Sequence, residues 1–223
     1  MKLRISIAER RADVLRCQYF IAEIYNKHYG IMFSEDIHDL EARIEPYPQR
    51  YLMGTVDGEL VTAVGLYTRD TYVERYGSIT DEELMAQVAQ AGVADLYPSP
   101  VKRELTKLVV KEGWEGLGLA RLIHTTGHAR AFVEAGTDRP VLVLVCAKVS
   151  IIDNLFLPKG RVRARFLAPF PRYPVHSDYR SERDPMESRL TIPEVDVPPD
   201  VRAQVLPFEV ELPQRATKAR DPS

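Results

Sequence analysis

Between an apolar run that ends at Val110 and an amphipathic run that begins near Leu119 lies Trp114-Glu115-Gly116-Leu117-Gly118-Leu119-Ala120. Glycine at 116 and 118 lets the backbone take φ values that a side chain forbids, so several N–H groups can converge on one anion at the positive end of the following helix. A phosphate suits that chemistry, although a plain strand-to-helix connection carries the same glycines. Other chemistry-bearing patterns are sparse. His124 and His128 stand one helical turn apart, a spacing that can bind zinc, but no third ligand is near and no metal site is expected. Gly-x-Ser-x-Gly and Ser/His/Asp patterns are missing. The two cysteines, Cys17 in a helical pattern and Cys146 in an apolar strand, read as buried thiols and not as nucleophiles.

The elements that must hold the glycine turn are readable from periodicity. Residues 3–8 suggest a strand, and 11–29 a helix with Cys17, Phe20, Ile21, Ile24, Tyr25 and His28 along one face. Arg50 to Val56 and Leu60 to Tyr67 are extended runs joined at Asp57-Gly58, a two-residue turn that closes hairpins readily. Ser78 to Gly92 opens with capping and acidic residues and stops at glycine, which predicts a surface helix. Glu104 to Val110 is a β-branched strand. Residues 117–135 follow as a helix, 140–146 as an apolar strand, 149–157 as a short helix and 161–168 as an alternating strand. This order predicts an α+β fold: a mixed, mostly antiparallel central sheet with helices on both faces. The main domain is expected over 1–170, with a proline-rich extension over 171–223. Within that extension, 190–195 and 205–212 are candidate last strands, and the final ten or so residues are expected to be disordered.

The chain has 223 residues, 45% of them hydrophobic, and a formal net charge of −2, enough for a full core and without the basic excess of a nucleic-acid binder. No apolar run approaches a membrane span, and the opening residues lack the uninterrupted apolar stretch of a signal peptide, so the cytoplasm is the expected location.

The stretch Glu115-Gly-Leu-Gly118-Leu-Ala120, with the strand end at Val109 and Val110, resembles the Arg/Gln-x-x-Gly-x-Gly/Ala signature of the GCN5-related N-acetyltransferase superfamily. That resemblance implies an acyl-CoA N-acyltransferase-like fold, with Val109, Val110, Glu115, Gly116, Gly118 and Ala120 lining the pantetheine site of an acyl-phosphopantetheine donor. Glu115 departs from the signature: a carboxylate repels a diphosphate. The single phosphate of a carrier-protein arm needs less positive charge. Three further features are similar to the autoinducer (acyl-homoserine-lactone) synthases and the N-acyl amino acid synthases. They are Arg16 four residues before Phe20, Asp36-Ile-His-Asp39, and Glu104-Leu-Thr-Lys107 opening the central strand. The resemblance spans about residues 10–160. Lys107 stands where that family has Arg, Thr106 where it has Ser, and Arg69 falls one residue late from Gly65. By the resemblance, Arg16, Phe20, Asp36, Asp39, Arg69 and Lys107 shape the pocket of a small-molecule amine acceptor. Lys107 would grip a carboxylate or carbonyl with less directional control than an Arg fork.

The chemistry implied is amine attack on a thioester. An ammonium cannot attack, and Glu104 is the candidate base that frees it. An exposed strand residue paired with Lys102 or Lys107 is the plainer role for Glu104, as a solvated helix position is for Arg16 and a helix cap for Asp36 and Asp39. On a regular strand Glu104 and Thr106 face one side and Lys107 the other, so joint use of Glu104 and Lys107 requires a bulge or splay. Such a splay also exposes N–H groups near 108–110 for the thioester carbonyl. Phe156 stands where many superfamily members place a proton-donating Tyr.

The expected activity is N-acyl transfer from acyl-carrier protein, or from acyl-CoA, to an amino-acid-like amine. The alternatives are a CoA-dependent acetyltransferase of a small amine or protein, and a non-catalytic binding module. An acidic carrier protein requires a basic docking patch, for which Lys102, Arg103, Arg121 and Arg130 are the candidates.

Overall fold

The computed structural model describes residues 1–29, 50–68, 81–90, 92, 94–96, 98–136, 140–148, 164–169, 186–193 and 205–213. In chain order the elements are β1 (Lys2–Ile7), α1 (Arg11–Tyr29), β2 (Arg50–Val56), β3 (Glu59–Tyr67) and α2 (Asp81–Gln90). A 3-10 turn (Ala94–Leu96), β4 (Val101–Val110), α3 (Leu119–Ala135), β5 (Val141–Lys148), β6 (Ala164–Pro169), β7 (Met186–Pro193) and β8 (Phe208–Glu211) follow. The strands form one sheet in the order β6-β7-β5-β4-β3-β2-β1-β8. Among these pairings β4 and β5 are parallel and the rest antiparallel. The sheet is thus mixed and mostly antiparallel, with α1 against one face and α3 against the other.

Local chemistry accounts for the elements around the site. Asp57 and Gly58 both have positive φ, 50° and 82°, the conformation a two-residue hairpin turn demands of its central residues. Helix α1 buries Val14, Cys17 and Ile21 against Tyr51, Met53 and Ala63, with Phe20, Ile24 and Tyr25 at the margin. Helix α3 buries Ile123 and Ala131 against Leu52, Val64, Leu66 and Leu105. Gly127 of α3 packs on the sheet, where an added Cβ would lie 2.8 Å from a Leu105 methyl. Gly127→Val is therefore expected to overpack this contact, at a cost of about 1–3 kcal/mol. Thermal unfolding should show it as a lower Tm, roughly 2–4 °C per kcal/mol for a chain of this size.

The residues past 170 contribute two strands to the same sheet. β7 lies between β5 and β6, and β8 pairs with β1 at the opposite edge, Lys2 facing Glu211 and Ile5 facing Phe208. Leu212 is buried there with Leu3 and Ile5. The predicted helix over 149–157 lies outside the described residues. Among the described residues no helix is long and apolar enough to cross a membrane.

Candidate active site

The middle of β4 is irregular, and the irregularity sets which side chains meet. Gly65 faces Thr106 and Ala63 faces Val109, so two steps along β3 match three along β4. The extra residue is a β-bulge, and within it Lys107 has φ 56°, a left-handed conformation that costs a side-chain-bearing residue roughly 1–2 kcal/mol. Packing records the resulting change of phase. Leu105 faces α3 while Val109 faces α1, although residues four apart would share a face on a regular strand. The bulge that joint use of Glu104 and Lys107 requires is thus present.

Glu104, opposite Tyr67, alternates with Leu105 and points away from α3; it is 1% exposed. Lys107 lies within its field. Burial lowers the Lys107 ammonium to about 8, and the Glu104 charge opposes that shift. The described residues therefore hold a buried carboxylate and a desolvated, readily titrated amine together on one strand.

The same stretch of β4 is open toward β5. The parallel register runs from Val101↔Val141 to Leu105↔Val145 and goes no further, whereas Cys146, Ala147 and Lys148 pair with β7. From Thr106 to Val110 the β5-facing edge of β4 carries no ladder partner among the described strands. On its other side this segment is held by β3, with Val109 opposite Ala63, Val110 opposite Thr62, and the Thr62 hydroxyl donating to the Val109 carbonyl at 2.8 Å. This edge of β4 runs from beside Glu104 and Lys107 toward the glycine turn.

At that turn Gly113, Gly116 and Gly118 all have positive φ, 78°, 79° and 76°. No atom would lie within 4 Å of a Cβ added at Gly116 or Gly118, so the turn is not packed shut. Trp114 and Leu117 anchor it from below against the cluster around Leu119, leaving Glu115, Gly116 and Gly118 exposed. Gly118 is the N-cap of α3 and supplies no side-chain cap, and the first turn, which includes Ala120, has no acidic residue. The first N–H groups of α3 are therefore left without intrahelical acceptors, at the positive end of its dipole.

One residue here escaped sequence reasoning. Lys27, in the last turn of α1, forms an ion pair with Glu112 and lies in the field of Glu115. It brings a cation beside an otherwise acidic turn. The acidic surplus at 112 and 115 was the only signal in the sequence, and nothing in the spacing tied it to α1.

The other expected residues are distributed differently. Arg16 is exposed and donates from Nη2 to the Gly58 carbonyl at 2.5 Å. Phe20 packs at the edge of the α1 cluster, and both line a groove of about 620 Å³ with Leu60 and Lys111. Glu59 and Tyr67 lie at opposite ends of β3, so Arg16, anchored at the hairpin, is roughly 25 Å along the strand from Glu104. The structure does not bring Arg16 to Glu104. Asp36, Asp39, Arg69 and Phe156 lie outside the described residues.

The expected docking patch is corrected in part. Lys102 and Arg103 are each 7% exposed, because a central strand covered on both faces buries even its charged side chains, so neither is available to a carrier protein. Arg121 is exposed, and Arg130 donates to Glu134 at 3.0 Å. Cys17 is fully buried, and desolvation pushes its thiol up to about 12. In a Cys146→Ser background, alkylation at pH 8 should leave Cys17 unlabelled until the protein is unfolded in urea; rapid labelling of the folded protein would contradict its burial. Among the described residues no group of three or more His, Cys, Asp or Glu side chains is placed to hold a metal ion.

No protein-family model matches the sequence, and no curated protein is significantly similar to it. Solved structures do resemble it. FeeM, an N-acyl amino acid synthase from uncultured soil microbes, matches with a TM-score of 0.55 at 12% identity, over 87% of this chain and 93% of that one. The AHL synthase LasI matches with a TM-score of 0.48 at 13% identity, over 89% of this chain and 95% of its own. The polyamine N-acetyltransferase of Drosophila melanogaster matches with 0.48 at 15%, over 84% and 97%. At such identities the likeness is one of architecture, and it shows that this chain has the GNAT, acyl-CoA N-acyltransferase-like fold.

Proposed function

We propose that the protein is an N-acyltransferase that moves an acyl group from a phosphopantetheine thioester to the amine of an amino-acid-like acceptor. The observation that carries this reading is the β4 bulge, which gathers Glu104 and Lys107 where the ladder between β4 and β5 ends, on a strand that runs on to an open glycine turn. In this reading the N–H groups at the start of α3 receive the phosphate, and the arm lies along β4 past the end of its ladder with β5. Glu104 takes a proton from the acceptor ammonium, and β4 backbone N–H groups hold the thioester carbonyl as charge develops on its oxygen. Asp36, Asp39 and Arg69 are the proposed acceptor-side residues, and the distance of Arg16 from Glu104 takes the Arg16 and Phe20 groove out of that role.

Acyl-carrier protein is the proposed donor, supported by the exposed carboxylate of Glu115 at the turn. The competing reading, a coenzyme A donor, draws on Lys27, which sets a cation in the field of that carboxylate. The test is mass spectrometry of small molecules extracted from cells with and without the protein, followed by incubation of the purified protein with acyl-carrier protein or acyl-CoA. An accumulated N-acyl amino acid or lactone and consumption of the carrier-protein thioester are expected. Consumption of acyl-CoA alone would transfer the assignment to the competing reading, and no acyl product from either donor would favour a non-catalytic module.

A further inference from the structure

Resting on the acyltransferase reading, we propose that Lys107 is a catalytic residue: its ammonium protonates the sulfur of the departing pantetheine as the thioester bond breaks. The bulge supplies the geometry. Lys107 lies in the bulge of β4, it is held at positive φ, and it stands midway between Glu104 and Val110, past the end of the ladder between β4 and β5. A donor arm laid along β4 from the glycine turn passes Lys107 before it reaches Glu104, because Lys107 stands between them on the strand. Backbone strain retained at a lysine in the central strand of a sheet needs a reason, and functional sites are where such strain is kept.

The electrostatics suit proton transfer to sulfur. Desolvation brings the Lys107 ammonium to about 8, close to the ordinary thiol range of about 8.5, so a proton passes to a thiolate without a large uphill step. Glu104 on the same strand lies in its field and favours the ammonium. The protons balance. Glu104 takes the first proton from the acceptor ammonium, and the nitrogen lone pair forms the C–N bond. The C–S bond then breaks, its electron pair leaves with sulfur, and Lys107 delivers a proton to it. The neutral Lys107 amine takes the remaining proton from the acylated nitrogen, and Glu104 releases its own to solvent. One amide, one thiol and one proton result.

The test compares two thioesters of the same acyl group, one of pantetheine and one of 4-nitrothiophenol, whose thiolate is stable without a proton. Thiol release is followed with a mixture of amino acids as acceptors. Lys107→Arg keeps the charge but holds its proton too tightly to give it up. It should lower turnover of the pantetheine ester by about 100-fold and that of the nitrothiophenol ester by no more than about 3-fold. Lys107→Met should show the same split; if it does not fold, Lys107→Arg decides alone. Equal losses with both esters would assign Lys107 a structural or binding role and overturn the proposal, as would unchanged turnover of the pantetheine ester. Release of neither thiol by the unaltered protein would sink the acyltransferase reading itself, which separates that failure from a failure of Lys107.

Discussion

Glu104→Gln is expected to abolish acyl transfer while leaving the fold in place. Glutamine keeps the size and hydrogen-bonding reach of the side chain but cannot accept a proton from an ammonium, and loss of a positioned general base costs typically ~10²–10⁴-fold in rate. Because Glu104 is buried beside Lys107, neutralising it also withdraws the charge that supports the Lys107 ammonium. The amine should therefore titrate lower still in the variant. Product formation in a purified assay, read by mass spectrometry, should fall by at least 100-fold, with circular dichroism and chromatographic behaviour unchanged. Undiminished transfer in Glu104→Gln would remove the base from the mechanism.

Acid should destabilise the protein through α3. His124 and His128 are buried side by side with ring centroids 5.1 Å apart, and burial holds both neutral. His124 titrates near 4, and His128 lies well below the usual histidine range through burial and the charge of His124. Between the unfolded value near 6.5 and about 4, the unfolded chain binds protons that the folded chain refuses. Stability is then fully present above pH 6.5 and declines as pH falls, by roughly 3 kcal/mol for His124 over that interval. Urea unfolding across this range should show the decline, and His124→Gln with His128→Gln should flatten it. An equally steep profile in the double variant would assign the acid sensitivity to carboxylates elsewhere.

Local signals in the sequence were sufficient wherever the chain's own geometry decides the outcome. The Asp57-Gly58 hairpin and the bounds of α1 follow from turn chemistry and helical periodicity, and the need for a bulge in β4 follows from the alternation of Glu104 and Lys107. Long-range pairing was less legible. Nothing in the alternation of residues 186–193 states that β7 separates β5 from β6, because a strand's pattern fixes its buried face and not its neighbour. Lys102 and Arg103 carry the residue types of a surface, and only the covering of β4 on both faces buries them. Lys27 reaches the glycine turn through the path of α1 across the sheet, a three-dimensional fact with no spacing rule behind it.

The union of β1 with β8 bears on how the molecule assembles. Leu3 and Ile5 are translated well before the strand that covers their edge. Contacts spanning so much intervening polymer form slowly, because closing that loop costs entropy before any contact repays it. During synthesis the first strand therefore waits with an unsatisfied backbone edge beside apolar side chains, a template for pairing with another nascent chain. The alternating glutamates of β8 and the lysine at position 2 keep the finished edge charged, and it is the unfinished one that a chaperone would need to shield.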